Sequence, residues 1–303
     1  MRKIPEKQKL NPRKSKFAAM VDDRLKTCFK DLDIPEQLAE AMNYSLLAGG
    51  KRVRPVLCLS WAGMLGLRCG RALDFAVAVE LVHSYSLIHD DLPCMDDDDL
   101  RRGKPTSHKV FGQAMAVLAG DALQSHAFYM MTGLDLPAEH VLEALRQFAL
   151  AAGPAGMVGG QVVDMDSSGR DRIELEELKA MHAMKTGALI RASCVCGAML
   201  ARSAGAGDQD VFRAAGFGEA IGLAFQIVDD ILDIVGDEKE LGKPVGSDVS
   251  GDKATYPRFL GIDQSRQLAQ EAVDRALDNL APYTGPDRDF LAELAWYMVE
   301  RLQ

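Results

Sequence analysis

The chain has 303 residues, 48% of them apolar, enough to bury a sizeable core and to exclude disorder as its overall state. Its 35 Lys+Arg against 44 Asp+Glu leave a net charge of −9, which opposes general attraction to nucleic-acid backbones or anionic membranes; an anionic ligand therefore needs a local basic pocket. Six Cys without CxxC spacing or the density of a disulfide scaffold fit a reducing cytosol, and hence a cytoplasmic protein.

Residues 1–16, MRKIPEKQKLNPRKSK, read as a flexible basic tail, because they lack the apolar core of a secretory signal. Residues 17–303 follow as one domain. No apolar run reaches the ~18 residues of a membrane span without a charged interruption, so no stable membrane insertion is expected. Strand signals are scarce, and the apolar stretches, rich in Ala, Leu and Met, recur at three-to-four spacing, which predicts an all-α chain. The first helix is expected over about Phe17 to Lys30. A second starts near Pro35, where proline suits the first turn, and stops at Gly49-Gly50, and a third begins around Arg54-Pro55.

From Arg71 to Asp91, the apolar face Phe75, Val79, Val82, Ser86 and His89 runs into the densest chemical feature of the chain, HDDLPCMDDDDLRR. Six aspartates within ten residues repel one another unless cations intervene. An isolated Asp run is usually a solvated loop, but this one ends a predominantly apolar helix. Pro93 breaks that helix and offers a way to bring Asp96 back towards Asp90.

Further helices are predicted over about Gln113 to Met131, Pro137 to Ala152, Leu175 to Lys185, Thr186 to Arg202 and Val211 to Val235, with two more after Asp263. Nothing resembles an interdomain linker, and helices apolar on more than one side favour one large bundle. The Val211 helix ends in a second acid cluster, DDILD. Its Asp229 and Asp233, four apart, share one face, whereas Asp230 points elsewhere. Hard oxygen donors without Cys suit Mg²⁺, or Mn²⁺ in its place, better than zinc, and the loop pattern of a calcium site is missing.

Magnesium completes its shell with water and substrate phosphate, so positive partners for an anion are required. Gly49-Gly50-Lys51-Arg52-Val53-Arg54-Pro55 offers backbone amides and three cations before a helix, without the spacing of a Walker loop. Arg101 and Arg102 follow the first acid cluster, Lys185-Thr186 lies between helical segments, and Lys243 and Lys253 follow the second cluster.

In this order GGKRVRP, DDLPCMD with DDDLRRGKPT, GMVGGQVVDM, KTG, FQIVDDILD and KATYP resemble the trans-isoprenyl diphosphate synthase family over nearly the whole chain, most closely its bacterial farnesyl diphosphate synthases. The resemblance implies an all-helical bundle of the isoprenoid synthase type around a central cavity, a homodimer, and Mg²⁺-dependent joining of an allylic diphosphate to isopentenyl diphosphate. It implies metal-holding roles for Asp90, Asp96 and Asp229, assisted by Asp91 and Asp233. Arg101, Lys185, Thr186, Gln226, Lys243 and Lys253 would serve the allylic diphosphate, and Lys51, Arg54, His83 and Arg102 isopentenyl diphosphate. Taken alone, His83 reads as a satisfied core histidine.

Tyr85 and Ser86 precede Asp90 by five and four residues. At ~1.5 Å rise per residue Tyr85 lies roughly 7.5 Å along the helix from Asp90, a sensible depth for a floor beneath a growing chain. With the two-residue expansion inside DDLPCMD, this resembles C15-producing enzymes, so farnesyl diphosphate is the expected product. A geranylgeranyl diphosphate synthase, a terpene cyclase and a noncatalytic helical partner of a related synthase are the alternatives. The second acid cluster and GGKRVRP argue against the cyclase, and retention of both clusters argues against the noncatalytic partner. Asp252 beside Lys253, and Ser247 where relatives often carry lysine, depart from the family pattern.

Overall fold

The computed structural model describes residues 16–167, 173–235, 254–300 and Leu302. The basic tail up to residue 15, with Lys243, Ser247, Asp252 and Lys253, lies outside the described residues. The chain starts with α1 (Lys16–Leu25), α2 (Glu36–Leu46), α3 (Val53–Met64) and α4 (Cys69–Asp90). A two-stranded hairpin, β1 (Leu100–Arg101) with β2 (Lys104–Pro105), follows the first acid cluster. Then come α5 (Ser107–Phe111), α6 (Gln113–Thr132), α7 (Ala138–Ala152), α8 (Met157–Ser167) and α9 (Leu175–His182). A π-helical turn, Ala183–Gly187, joins α9 to α10 (Ala188–Leu200). The remaining helices are α11 (Asp208–Val235), α12 (Tyr256–Leu260), α13 (Ile262–Asn279) and α14 (Pro286–Glu300).

These bounds agree with the sequence pattern at most helices, and the departures have local causes. α1 stops at Leu25, five residues early, where Thr27 folds back through both its N–H and its hydroxyl onto the Arg24 carbonyl. α8 was not expected, because the glycines of GMVGGQVVDM lower helix propensity. The predicted break between Lys185 and Thr186 does not occur: the helix runs on through the π turn.

α10 is the axis of the packing, in contact with α3, α7 and α11, while α4 lies against α3 and α6, and α13 covers α11. Its residues are apolar on two sides because they fill two clusters. Leu189, Ala192, Val195 and Met199 join a core with α4, α6 and α7; Ile190, Cys194 and Ala198 join a second with α11, α13 and α14. α3 is divided likewise, Val56 and Leu59 against Leu57 and Trp61. The all-helical architecture is thus built around two shared core helices. Two helical stretches, Leu175–Ala204 and Asp208–Val235, are long and apolar enough to cross a membrane by length and composition alone, charged residues within them notwithstanding. Both are at least half buried within the fold, as core helices are.

Candidate active site

At the end of α4 the chain folds back on itself. Asp96 donates its N–H to the Asp90 carbonyl at 2.9 Å, and Asp97, at a left-handed φ of 52°, donates to the Leu92 carbonyl at 3.1 Å. The break at Pro93 therefore returns Asp96 to the helix end, as its position suggested. Burial pushes the half-buried Asp90 carboxyl up to about 6; Lys185 works against that, and Asp96 adds its like charge.

Asp91, one residue on and some 100° around the helix, is buried and faces the hairpin instead. It accepts from Arg101 Nε at 2.9 Å and Nη2 at 2.5 Å, and Arg101 also reaches Asp98 at 3.0 Å. Arg101 and Asp91 thus satisfy each other in this structure. The hairpin turn, Arg102 at φ 55° and Gly103 at φ 75°, is of the doubly left-handed kind that joins twisted strands. It aims Arg102 Nη1 at the Gly49 carbonyl, tying the hairpin to the glycine loop.

Of the three cations in GGKRVRP, one turns inward. Arg52, left-handed at φ 50°, is buried and bonded to Glu80 at 2.7 Å, Asp22 at 2.8 Å and the Leu46 carbonyl at 3.0 Å. The expected cradle therefore draws on Lys51 and Arg54. Arg54 Nη1 lies 3.3 Å from His83 Nε2. A guanidinium only donates, so this His83 nitrogen accepts and the ring is the neutral Nδ1–H form. Burial, then the charges of Arg54 and Arg102, hold His83 well below its ordinary range. Burial also lowers Arg54 to about 10. His83 is thus part of a basic cluster rather than an isolated core histidine.

The π turn carries Lys185 and Thr186, both half-buried. Gly160 of α8 lies so close to the Lys185 backbone that no Cβ fits between them, which draws the two elements together. Lys185 Nζ sits 2.5 Å from Asp164 Oδ2. Burial opposes the ammonium charge, but Asp164, then Asp90 and Asp96, raise its pKa above the ordinary value. Asp164 had been assigned no role, although it lies inside GMVGGQVVDM.

On α11, Asp229 is half-buried and Asp233 buried, one turn apart. Asp230, on a different face, accepts from Gln226 Nε2 at 2.9 Å and from the Tyr256 N–H at 2.9 Å. Gln226 is therefore engaged with Asp230, and α12 is pinned to α11. Tyr85 is buried and edge-on to the His89 ring at 5.7 Å. Burial raises its phenol pKa, with Gln124 of α6 acting against it. Ser86 instead donates to the His83 carbonyl at 2.9 Å.

Among the described residues no three Asp, Glu, His or Cys side chains converge into a metal cage. The donor set nevertheless fits Mg²⁺: it is oxygen-only, Asp96 adds its like charge to Asp90, and Lys185 and Arg101 nearby would share an anionic ligand.

Residues 35–282 match the family described as polyprenyl synthetase. The chain is 48% identical over 273 residues to the large subunit 1 of a heterodimeric geranylgeranyl pyrophosphate synthase from Arabidopsis thaliana, covering 88% of this chain and 73% of that one. It is 45% identical over 300 residues to farnesyl diphosphate synthase of Geobacillus stearothermophilus, covering 97% and 98%. A solved FPP/GFPP synthase from Zymomonas mobilis superposes with a TM-score of 0.83 at 37% identity, over 93% of this chain and 97% of that one. Geranylgeranyl pyrophosphate synthetase from Pyrococcus horikoshii gives 0.84 at 33% identity, over 93% and 95%.

Proposed function

Because the chain belongs to the polyprenyl synthetase family, and is a prenyltransferase of the trans type, we propose that it condenses dimethylallyl and geranyl diphosphates head-to-tail with isopentenyl diphosphate, releasing mainly farnesyl diphosphate. The observation that carries the site assignment is the fold-back that bonds the Asp96 N–H to the Asp90 carbonyl at 2.9 Å, with Lys185 near enough for its charge to act on both carboxylates. A cation in the π turn and a carboxylate pair at the end of α4 act on the same space, which suits a diphosphate held between metal-bound acids and lysine.

Asp90, Asp96 and Asp229, with Asp233 beside them, would hold Mg²⁺, which when bound neutralises charge gathering on the leaving diphosphate. Lys185 binds the same diphosphate, Thr186 lies beside it, and Arg101, once drawn from Asp91 and Asp98, adds a bidentate donor. Arg54, with the neutral His83 behind it, and Lys51 and Arg102 orient isopentenyl diphosphate on the other side. Loss of diphosphate leaves an allylic cation, the isopentenyl double bond attacks its terminal carbon, and a proton then passes to the released pyrophosphate. Keeping water from the cation would fall to the apolar residues of α4 that precede Asp90. No protein nucleophile takes part.

Buried Tyr85, one turn below Asp90, supports a C15 product by limiting depth. Similarity to geranylgeranyl synthases supports a C20 product as the second reading. A homodimer finds an apolar surface on α6, where Leu118 and Tyr129, on one helical face, are 54% and 67% exposed. The deciding experiment incubates the purified chain with Mg²⁺ and both five-carbon diphosphates and separates the products by chromatography. A fifteen-carbon product is expected, a twenty-carbon product selects the second reading, and no metal-dependent product refutes both.

A further inference from the structure

Arg52 combines a left-handed backbone, a buried guanidinium and a buried partner in Glu80, both side chains only 2% exposed. A left-handed arginine is strained and persists only where its surroundings over-determine it. Here they do: Glu80 on α4, Asp22 on α1 and the Leu46 carbonyl at the end of α2 all converge on one guanidinium. Arg52 also stands at the entrance of α3, between Lys51 and Arg54. Its orientation therefore fixes the direction in which the chain leaves Gly50 and the angle at which Arg54 enters the helix.

We propose that Glu80 is a positioning residue for the isopentenyl diphosphate subsite, acting through Arg52 to hold Lys51 and Arg54 in their binding geometry. Glu80 lies one turn before His83 on α4, so a single helix carries both the anchor of the loop and the histidine that Arg54 meets. Its carboxylate also supports the Arg54 charge directly, against the burial that lowers it. Burial likewise opposes the Arg52 charge, and Glu80 followed by Asp22 more than offsets it. Glu80 touches no reacting atom, and its effect reaches one substrate only. The inference rests on the reading of GGKRVRP as the isopentenyl side.

The test is steady-state kinetics of Glu80→Gln with Mg²⁺, each diphosphate varied separately while the other is saturating. Glutamine keeps the size and a hydrogen bond but removes the charge. The KM for isopentenyl diphosphate should rise about tenfold, with the allylic KM and kcat within about twofold, since misplacing binding groups by fractions of an ångström has effects of this size. An isopentenyl diphosphate KM within twofold of the unaltered chain, an equal rise for both substrates, or a fall in kcat alone overturns the proposal. Circular dichroism establishes whether Glu80→Gln is folded. Where it is not, Asp22→Asn decides on the same criteria with an expected rise of about threefold, because Asp22, itself half-exposed, holds Arg52 from the solvent side. Absence of turnover in the unaltered chain refutes the transferase reading instead.

Discussion

Asp164 and Lys185 lie 21 residues apart in the chain, yet their carboxylate and ammonium meet at 2.5 Å where α8 touches the π turn. Asp164 supports the Lys185 charge against burial, and Asp90 and Asp96 add to that support. Replacing Asp164 with Asn removes the largest favourable contribution to that charge. The lysine pKa then falls, so the alkaline limb of the pH–rate profile moves to lower pH, and kcat/KM for the allylic diphosphate drops about tenfold at neutral pH. An alkaline limb unchanged from the parent would show that Lys185 does not act as a cation in turnover.

Asp90→Ala and Asp229→Ala each remove a carboxylate from a different acid cluster. Each is expected to lower kcat at least about a hundredfold at saturating Mg²⁺, a loss typical of deleting a key electrostatic stabiliser. Chelation of the metal should abolish turnover in the parent, and added Mg²⁺ should restore it. Retention of normal rates by both variants would dissociate the acid clusters from the metal.

Tyr85→Ala opens space one turn below Asp90, where the phenol is buried beside His89. Products should lengthen towards C20, while the rate of the first condensation is retained. Chromatography of the hydrolysed products reads this directly, and an unchanged length distribution removes Tyr85 as the floor.

His182 offers a pH dependence of stability rather than of rate. Among the described residues its buried Nδ1 has no hydrogen-bond partner, and its ring lies 5.6 Å from that of Tyr256. Burial lowers its pKa from 6.5 to about 4, with Asp164 opposing the shift. The unfolded chain therefore takes up a proton as pH falls through 6.5 while the folded chain resists until about 4, so stability declines between these values. The contribution is at most about 3 kcal/mol. His182→Gln should flatten the fall of Tm between pH 7 and 4, and an identical slope in parent and variant would rule out this histidine.

Most helices were legible because apolar spacing and flanking Gly or Pro are local signals, and α2, α4, α6 and α7 depend on little else. The fold-back at Pro93 was legible for the same reason. The short helices α5 and α12 escaped, and so did three features nearer the site. α8 was hidden by the glycines that let Gly160 approach Lys185, a requirement of packing rather than propensity. The inward turn of Arg52 depends on Glu80 and Asp22, 28 and 30 residues away in the chain, and no short motif records such a partner. The pairing of Asp91 with Arg101 follows from the hairpin, whose two-residue strands are too short to show alternation.

The π turn at Ala183–Gly187 has one further consequence. A five-residue hydrogen-bonded loop accommodates one residue more than an α-helical turn, so everything downstream is rotated by about 100° relative to an uninterrupted helix. Removing a single amino acid there would let the stretch close into an ordinary α-helical turn with the sides meant for α3 and α11 still in phase, whereas winding the same sequence as one unbroken α-helix would swing both off their seats. What such a shortening would forfeit is the placement of Lys185 and Thr186 within the bulge, not the seating of α10.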